Sequence, residues 1–345
     1  MPEYDLSQVE CVLYEPEANV RRLLRDALGA LRIHKIQMYG HMDDVGKAFE
    51  TGNPDLLIAD GTDAASPIFK LVHAIRNGAL GANPFISIIV TAFNPTRSLV
   101  SRVTNSGADA LLVKPLAPKQ LHDRVAALIE NPRNFVATSD FIGPDRRKSP
   151  REGGPIPLIE VPNTLRLKAT NAYGKVNPQE LIEHASDAIN EHKLFRQAFQ
   201  AAFLIEFALP GLASEPAERI AMEHLARVVP ALDDLIHRLP ARATGPAASA
   251  AEQARSLIAA VEVAHAQAVS GMVPPGLDQL LPAALLIMAT LGPGRPAETF
   301  SREVSAAAAA YRERLVQMVE AKAAEASRTA EAGMARPSTD APGIL

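Results

Sequence analysis

At 345 residues with a formal net charge of -4 and no Trp, the chain is too long for one ordinary compact core and lacks the basic balance that draws proteins to nucleic acid or to an anionic membrane. Its lone cysteine, Cys11, excludes an intrachain disulfide, lies in an apolar run as a small buried hydrophobe would, and suits a reducing compartment. The N-terminus lacks the basic-then-apolar pattern of a secretory signal. The most apolar later segment, Leu277 to Leu291, is broken by Pro282 and falls short of the roughly 20 residues that cross a bilayer, so a cytoplasmic protein without membrane insertion is expected.

From Val9 to Ile129 short apolar runs alternate with amphipathic stretches, the pattern of βα units around a parallel sheet. Strands are predicted at Val9 to Tyr14, Lys35 to Tyr39, Leu56 to Ala59, Ser87 to Thr91 and Ala110 to Val113, rich in the Val, Ile and Leu that strands covered on both faces require. Helices are predicted between and after them at Asn19 to Leu31, Met42 to Glu50, Pro67 to Asn77, Arg97 to Ser106 and Pro118 to Glu130. Pro54, Pro84 and Gly107 stop the helical stretches just before the next strand. The expected fold is a doubly wound five-stranded parallel sheet of the flavodoxin-like kind, over residues 1–132, followed by an all-α domain.

Residues 133–176 read as a Pro/Gly-rich linker, with Pro144, Pro150, Pro155, Pro157 and Pro162 interrupting any helix. It carries a basic knot (Arg146, Arg147, Lys148, Arg151) and, in Ile156 to Leu167, apolar residues able to lie along a domain surface. A helical bundle is expected over 177–327, from segments Pro178 to Phe207, Pro216 to Arg238, Ala248 to Val269, Leu277 to Leu291 and Glu298 to Ser327. Asn177 and Ser214 are the stronger candidate caps, Ser249 and Thr299 the weaker. In the first segment Leu181, Ala185, Ala188, Ile189, His192, Phe195, Phe199 and Phe203 form one stripe, open to use inside the bundle or in a homodimer. Residues 328–345 are expected to be a disordered tail.

Chemistry in open parallel α/β sheets gathers at the carboxyl ends of the strands. There this sequence delivers Glu15 after the first strand, Asp60 after the third, Thr91 at the end of the fourth, and Lys114 followed by Pro115 after the fifth. Two acids, a hydroxyl and an ammonium thus meet on one edge, and their order and spacing carry the signal.

The words DLLIAD, IIVTA and GADALLVKP resemble those of the CheY-like receiver family of two-component response regulators, over about residues 8 to 132. By that resemblance Asp60 is a phosphoacceptor served by a histidine kinase or phosphotransfer protein, Thr91 the switch hydroxyl that hydrogen-bonds the acyl phosphate, and Lys114 the partner of the phosphoryl oxygens. The family binds Mg²⁺, for which Glu15, Asp60 and the backbone carbonyl of Thr62 are the implied ligands, with Glu17 a further candidate. The sequence departs from the family where Pro16 replaces the second acid after the first strand, where the loop after Asp60 reads GTDAASP, and where Leu111 stands in place of the switch aromatic. Two functions follow. One is an atypical response regulator, not an enzyme, that accepts phosphate at Asp60 and signals through a C-terminal helical domain that binds a protein partner. The other is a pseudo-receiver adaptor that is never phosphorylated. His184 and His265 lack the Lys-Gly pattern of histidine phosphotransfer bundles, and no zinc spacing, P-loop, dinucleotide turn or nucleophile elbow occurs. Nor is there a helix-turn-helix supported by basic charge, so no nucleic-acid partner is expected.

Overall fold

The computed structural model describes residues 4–63, 65–146, 157–240, 243–292 and 294–334, the last thirteen of these by backbone alone. Five strands, β1 (Glu10–Tyr14), β2 (Lys35–Tyr39), β3 (Leu56–Asp60), β4 (Ser87–Ala92) and β5 (Ala110–Val113), form a parallel sheet in the order β2-β1-β3-β4-β5. The predicted helices are α1 (Ala18–Ala30), α2 (Met42–Thr51), α3 (Ile68–Arg76), α4 (Arg97–Ser106) and α5 (Pro118–Glu130). Strands β3 and β4 are buried at every residue, which is why LLIAD and SIIVTA show no polar alternation.

Alternate residues of each strand serve opposite faces. Cys11, Leu13, Leu56 and Ile58 pack with Leu24 and Leu28 of α1 and Leu121, Val125 and Ile129 of α5. Val12, Leu57 and Ala59 pack with Val45 of α2, Val72 of α3 and Val103 of α4. Burial pushes the Cys11 thiol pKa up, so little thiolate forms there. Cys11 is therefore expected to react with a chromogenic disulfide reagent only as the chain unfolds in urea; prompt labelling of the native protein would contradict its placement.

The expected linker is corrected by the structure. Phe135–Ala137 (β6) and Ile142–Pro144 (β7) pair as an antiparallel hairpin, Ile159 bridges to Phe135, and Thr164–Ala169 forms a helix, α6. Prolines forbid helix interiors but tolerate edges and extended chain, and the apolar residues between them found partners: Phe135, Ile142 and Ile159 pack with Phe85 and with Ile182, Ala185 and Ile189. Leu165 and Ala169 of α6 enter the core beneath α1 and α5, while Lys168 reaches the buried Asp55 at 2.7 Å. Of the basic knot, Arg147, Lys148 and Arg151 lie outside the described residues.

Arg76, at the end of α3, ties this region together. Its guanidinium donates to the carbonyls of Gly107 (2.8 Å), Pro84 (2.6 Å) and Ile86 (2.9 Å), pairs with Asp109 at 2.8 Å and lies 5.1 Å from the centre of the Phe135 ring. Burial lowers its pKa and Asp109 opposes that shift. Gly107 sits against it with φ +93°, where a Cβ would meet the Arg76 side chain at 2.9 Å. Removing one partner of a buried ion pair costs about 3–5 kcal/mol. Arg76→Ala should lose that much stability in urea unfolding, and a loss under 1 kcal/mol (about the value of an exposed pair) would show the network to be incidental.

The chain divides into two compact units within α7 (Pro178–Leu212), between Lys193 and Leu194. The second unit is all helical: α8 (Arg219–Ala226), α9 (Val228–Arg238), α10 (Gly245–Val269), α11 (Leu277–Leu291) and α12 (Ala297–Met334). One segment predicted as a single helix, Pro216 to Arg238, is two, because the ring of Pro230 cannot follow the carbonyl of Ala226 in a continuous helix. Ser214 does not cap the next helix; its hydroxyl donates to the carbonyl of Gly211 at 2.7 Å and closes α7. Ser249 and Thr299 lie inside α10 and α12. The tail expected from residue 328 is helical to Met334, and residues 335–345 lie outside the described residues. Pro210 removes the amide that would bond the carbonyl of Glu206; Arg312 of α12 donates to that carbonyl instead, at 2.5 Å. Among the described residues no helix is long and apolar enough to cross a membrane.

Candidate functional site

Strand register sets the rim. Tyr14 is level with Ala59, Asp60 with Thr91, and Ala92 with Val113, so the residues at or just after the carboxyl ends of β1, β3, β4 and β5 emerge side by side. Three of the four side chains singled out in the sequence, those of Glu15, Asp60 and Lys114, meet there. Lys114 Nζ lies 2.6 Å from Glu15 Oε2 and 2.6 Å from Asp60 Oδ1. The Lys114 and Glu15 side chains are 2% and 1% exposed, whereas that of Asp60 is 12% exposed and is the carboxylate of the pair that solvent reaches. Thr91 is fully buried, with its hydroxyl 3.5 Å from the carbonyl of Ala59, so it faces the sheet and not Asp60.

Neighbours supply the remaining bonds. Glu15 Oε1 accepts from the backbone N–H of Glu17 at 3.1 Å, so Glu17 contributes through its main chain. Arg21 donates to the carbonyls of Glu15 and Pro16 and fixes the loop that follows β1. Gly61 permits the close approach of the next loop, since a Cβ there would meet Val90 Cγ1 at 2.6 Å. Burial, with the Asp60 and Glu15 carboxylates adding to it, raises the pKa of the Tyr14 phenol.

Two contributors were missed by sequence reasoning. Thr62 was singled out for its carbonyl, yet its hydroxyl donates to Asp60 Oδ1 at 2.6 Å and accepts from the N–H of Phe93 at 3.4 Å. Phe93 places its ring 4.8 Å from Lys114 Nζ, half exposed over the ammonium. A hydroxyl two residues after a strand-end acid was the available signal for the first. Nothing in the sequence pattern pointed to the second.

The rim offers only a partial donor set for a hard cation, since Lys114, the Glu17 N–H and the Thr62 hydroxyl already occupy three of the four carboxylate oxygens. Two carboxylates share one ammonium at the rim, with the Arg21 guanidinium close by, and Mg²⁺ takes one or two carboxylates from a protein while keeping several waters. Asp60, Glu15 and the carbonyl of Thr62 are the residues that would hold it, and the ion would supply charge to neutralise phosphoryl oxygens. Pro16 offers no third carboxylate, and among the described residues no group of three His, Cys, Asp or Glu side chains could hold a metal.

No family model and no curated protein matches the sequence. A solved structure of a pilus assembly-related protein from Burkholderia pseudomallei is similar over 36% of this chain and 90% of that one, at 12% identity and a TM-score of 0.31. A likeness that slight carries no argument about function.

With the ammonium removed, two buried carboxylates would face one another unpaired, a change that costs about 3–5 kcal/mol. Lys114→Ala is expected to lower urea stability by that order, and Glu15→Gln in the same chain to restore part of it. Equal stability of wild type and Lys114→Ala would show that the ammonium does not hold the rim together.

Proposed function

We propose that the first unit is a receiver-type signalling module in which Asp60 accepts a phosphoryl group, and that the second unit passes the state on by binding a protein partner. The observation that carries this reading is the position of Asp60: a carboxylate at the carboxyl end of a central strand, the more exposed of the two that Lys114 pairs with, with that ammonium 2.6 Å away and a threonine hydroxyl on the register-matched residue of the next strand. A carboxylate oxygen of Asp60 attacks phosphorus in line as the donor's P–N bond, in a histidine kinase or phosphotransfer protein, breaks. The imidazole so released takes a proton from solvent. Lys114 then stands beside the new phosphoryl oxygens as a point charge. The Thr91 hydroxyl gains an acceptor stronger than the carbonyl of Ala59, and turning towards it moves the end of β4 and Phe93 with it. The protein on this reading is a cytoplasmic response regulator and not an enzyme.

A second reading has its own support. Pro16, together with the saturation of both Glu15 oxygens by Lys114 and the N–H of Glu17, favours a module that works as an unphosphorylated adaptor. Incubation with acetyl phosphate and Mg²⁺, followed by intact-mass measurement, separates the two. The phosphoacceptor reading expects a single added phosphoryl group, lost in Asp60→Asn and reduced by chelation of the metal. It also expects Pro16→Asp, which supplies a further carboxylate, to speed labelling. An unchanged mass in both wild type and Pro16→Asp leaves the adaptor as the function.

A further inference from the structure

We propose that the corner of the first unit between Arg146 and Arg133 binds a small inorganic oxyanion of the phosphate class, at the edge of the sheet opposite Asp60. Arg146 is the member of the basic knot that the structure describes, two residues beyond β7. Phe135 pairs with Pro144, and the amide of Asp145 donates to the carbonyl of Asn134 at 2.8 Å. The next step of that antiparallel register sets Arg146 opposite Arg133. At the same corner Ser87, Asp109, Asn131, Arg133 and Phe135 line a cleft of about 30 Å³. Ser87 opens β4 and Asp109 directly precedes β5, so the cleft lies at the amino ends of strands, whereas Asp60 lies at a carboxyl end.

What marks the corner is a cation without an anion. Arg146 Nε and Nη2 are sealed from solvent, and among the described residues no acceptor reaches them. The charges that act on this guanidinium are one carboxylate, Asp109, and two further guanidiniums, Arg133 and Arg76. Asp109 is committed elsewhere: its Oδ2 accepts from Arg76 Nη2 at 2.8 Å and from the amide of Ile88 at 2.7 Å. Positive charge is therefore in surplus. A lysine so placed could shed its proton, but a guanidinium keeps its charge at neutral pH. An unpaired charge held away from water is costly until a counter-charge arrives. Nε and Nη2 form one side of the guanidinium fork, the side that matches two oxygens of a phosphate group. A doubly charged ion seated there satisfies both donors and offsets the repulsion among Arg146, Arg133 and Arg76. The cleft sets the size: one water takes about 10–15 Å³, so a small ion fits beside Arg133 and a nucleoside does not.

Calorimetric titration of the full chain with inorganic phosphate, at an ionic strength held constant with chloride, should show one site. EDTA in the buffer keeps Mg²⁺ from carrying phosphate to the Asp60 rim. Arg146→Gln should abolish binding. Arg133→Gln, at an exposed position that the fold does not need, should weaken it by roughly tenfold, the worth of one charge-assisted hydrogen bond. Asp60→Asn should bind as the wild type does. Saturating phosphate should raise the thermal midpoint by about 2–4 °C in the wild type and leave Arg146→Gln unmoved. The proposal is overturned if phosphate gives no heat beyond that of chloride, if Arg146→Gln and Arg133→Gln bind undiminished, or if Asp60→Asn loses the site. It is overturned as well if phenyl phosphate, too large for the cleft, binds as tightly as the free ion. None of these results bears on phosphorylation of Asp60.

Discussion

One ammonium holds two carboxylates from different strands at the rim of the sheet, and the candidate chemistry depends on it. Lys114 follows the edge strand β5, Glu15 follows β1 and Asp60 ends β3, so the two ion pairs span most of the sheet's width. Charges so little exposed interact strongly, and each unpaired one would be expensive. The arrangement therefore does two things together. It fixes the loops after β1, β3 and β5 against one another, and it makes the charge balance of the rim depend on what is attached at Asp60. A perturbation of one carboxylate is felt by the other through the shared lysine, and by Phe93 through the face of its ring.

The helical unit is built on a different constraint. Alanines at its contacts, among them Ala198, Ala202, Ala250 and Ala254, are fully buried and let helices approach closely where larger side chains would hold them apart. The Ala-rich composition that predicted helices from propensity thus also sets how tightly they pack.

The sheet was legible because burial on both faces demands unbroken apolar strands, and the helices between them because their apolar residues recur at helical spacing. The rim followed from chain order alone: a strand-end residue in a parallel sheet has only one edge at which to emerge. What escaped was whatever depended on partners remote in sequence. Phe135 and Ile159 look like stray hydrophobes in a Pro-rich stretch until Phe85 and Ile189 are brought beside them. The Thr62 hydroxyl and the Phe93 ring acquire meaning only once the loops after β3 and β4 lie together. The break between α8 and α9 could have been read from Pro230, but an uninterrupted apolar pattern across it masked the proline.

The proline within α7 has a corresponding effect on α12. Because Pro210 leaves the carbonyl of Glu206 without an intrahelical donor, a guanidinium on a helix about a hundred residues later in the sequence satisfies it, and Ser305 adds a bond to the Glu206 side chain at 3.1 Å. A local defect in one rod thereby becomes the socket in which the other is rooted. An amide in place of Pro210 would complete that helix and take the acceptor from Arg312, so the missing bond works as a fastening.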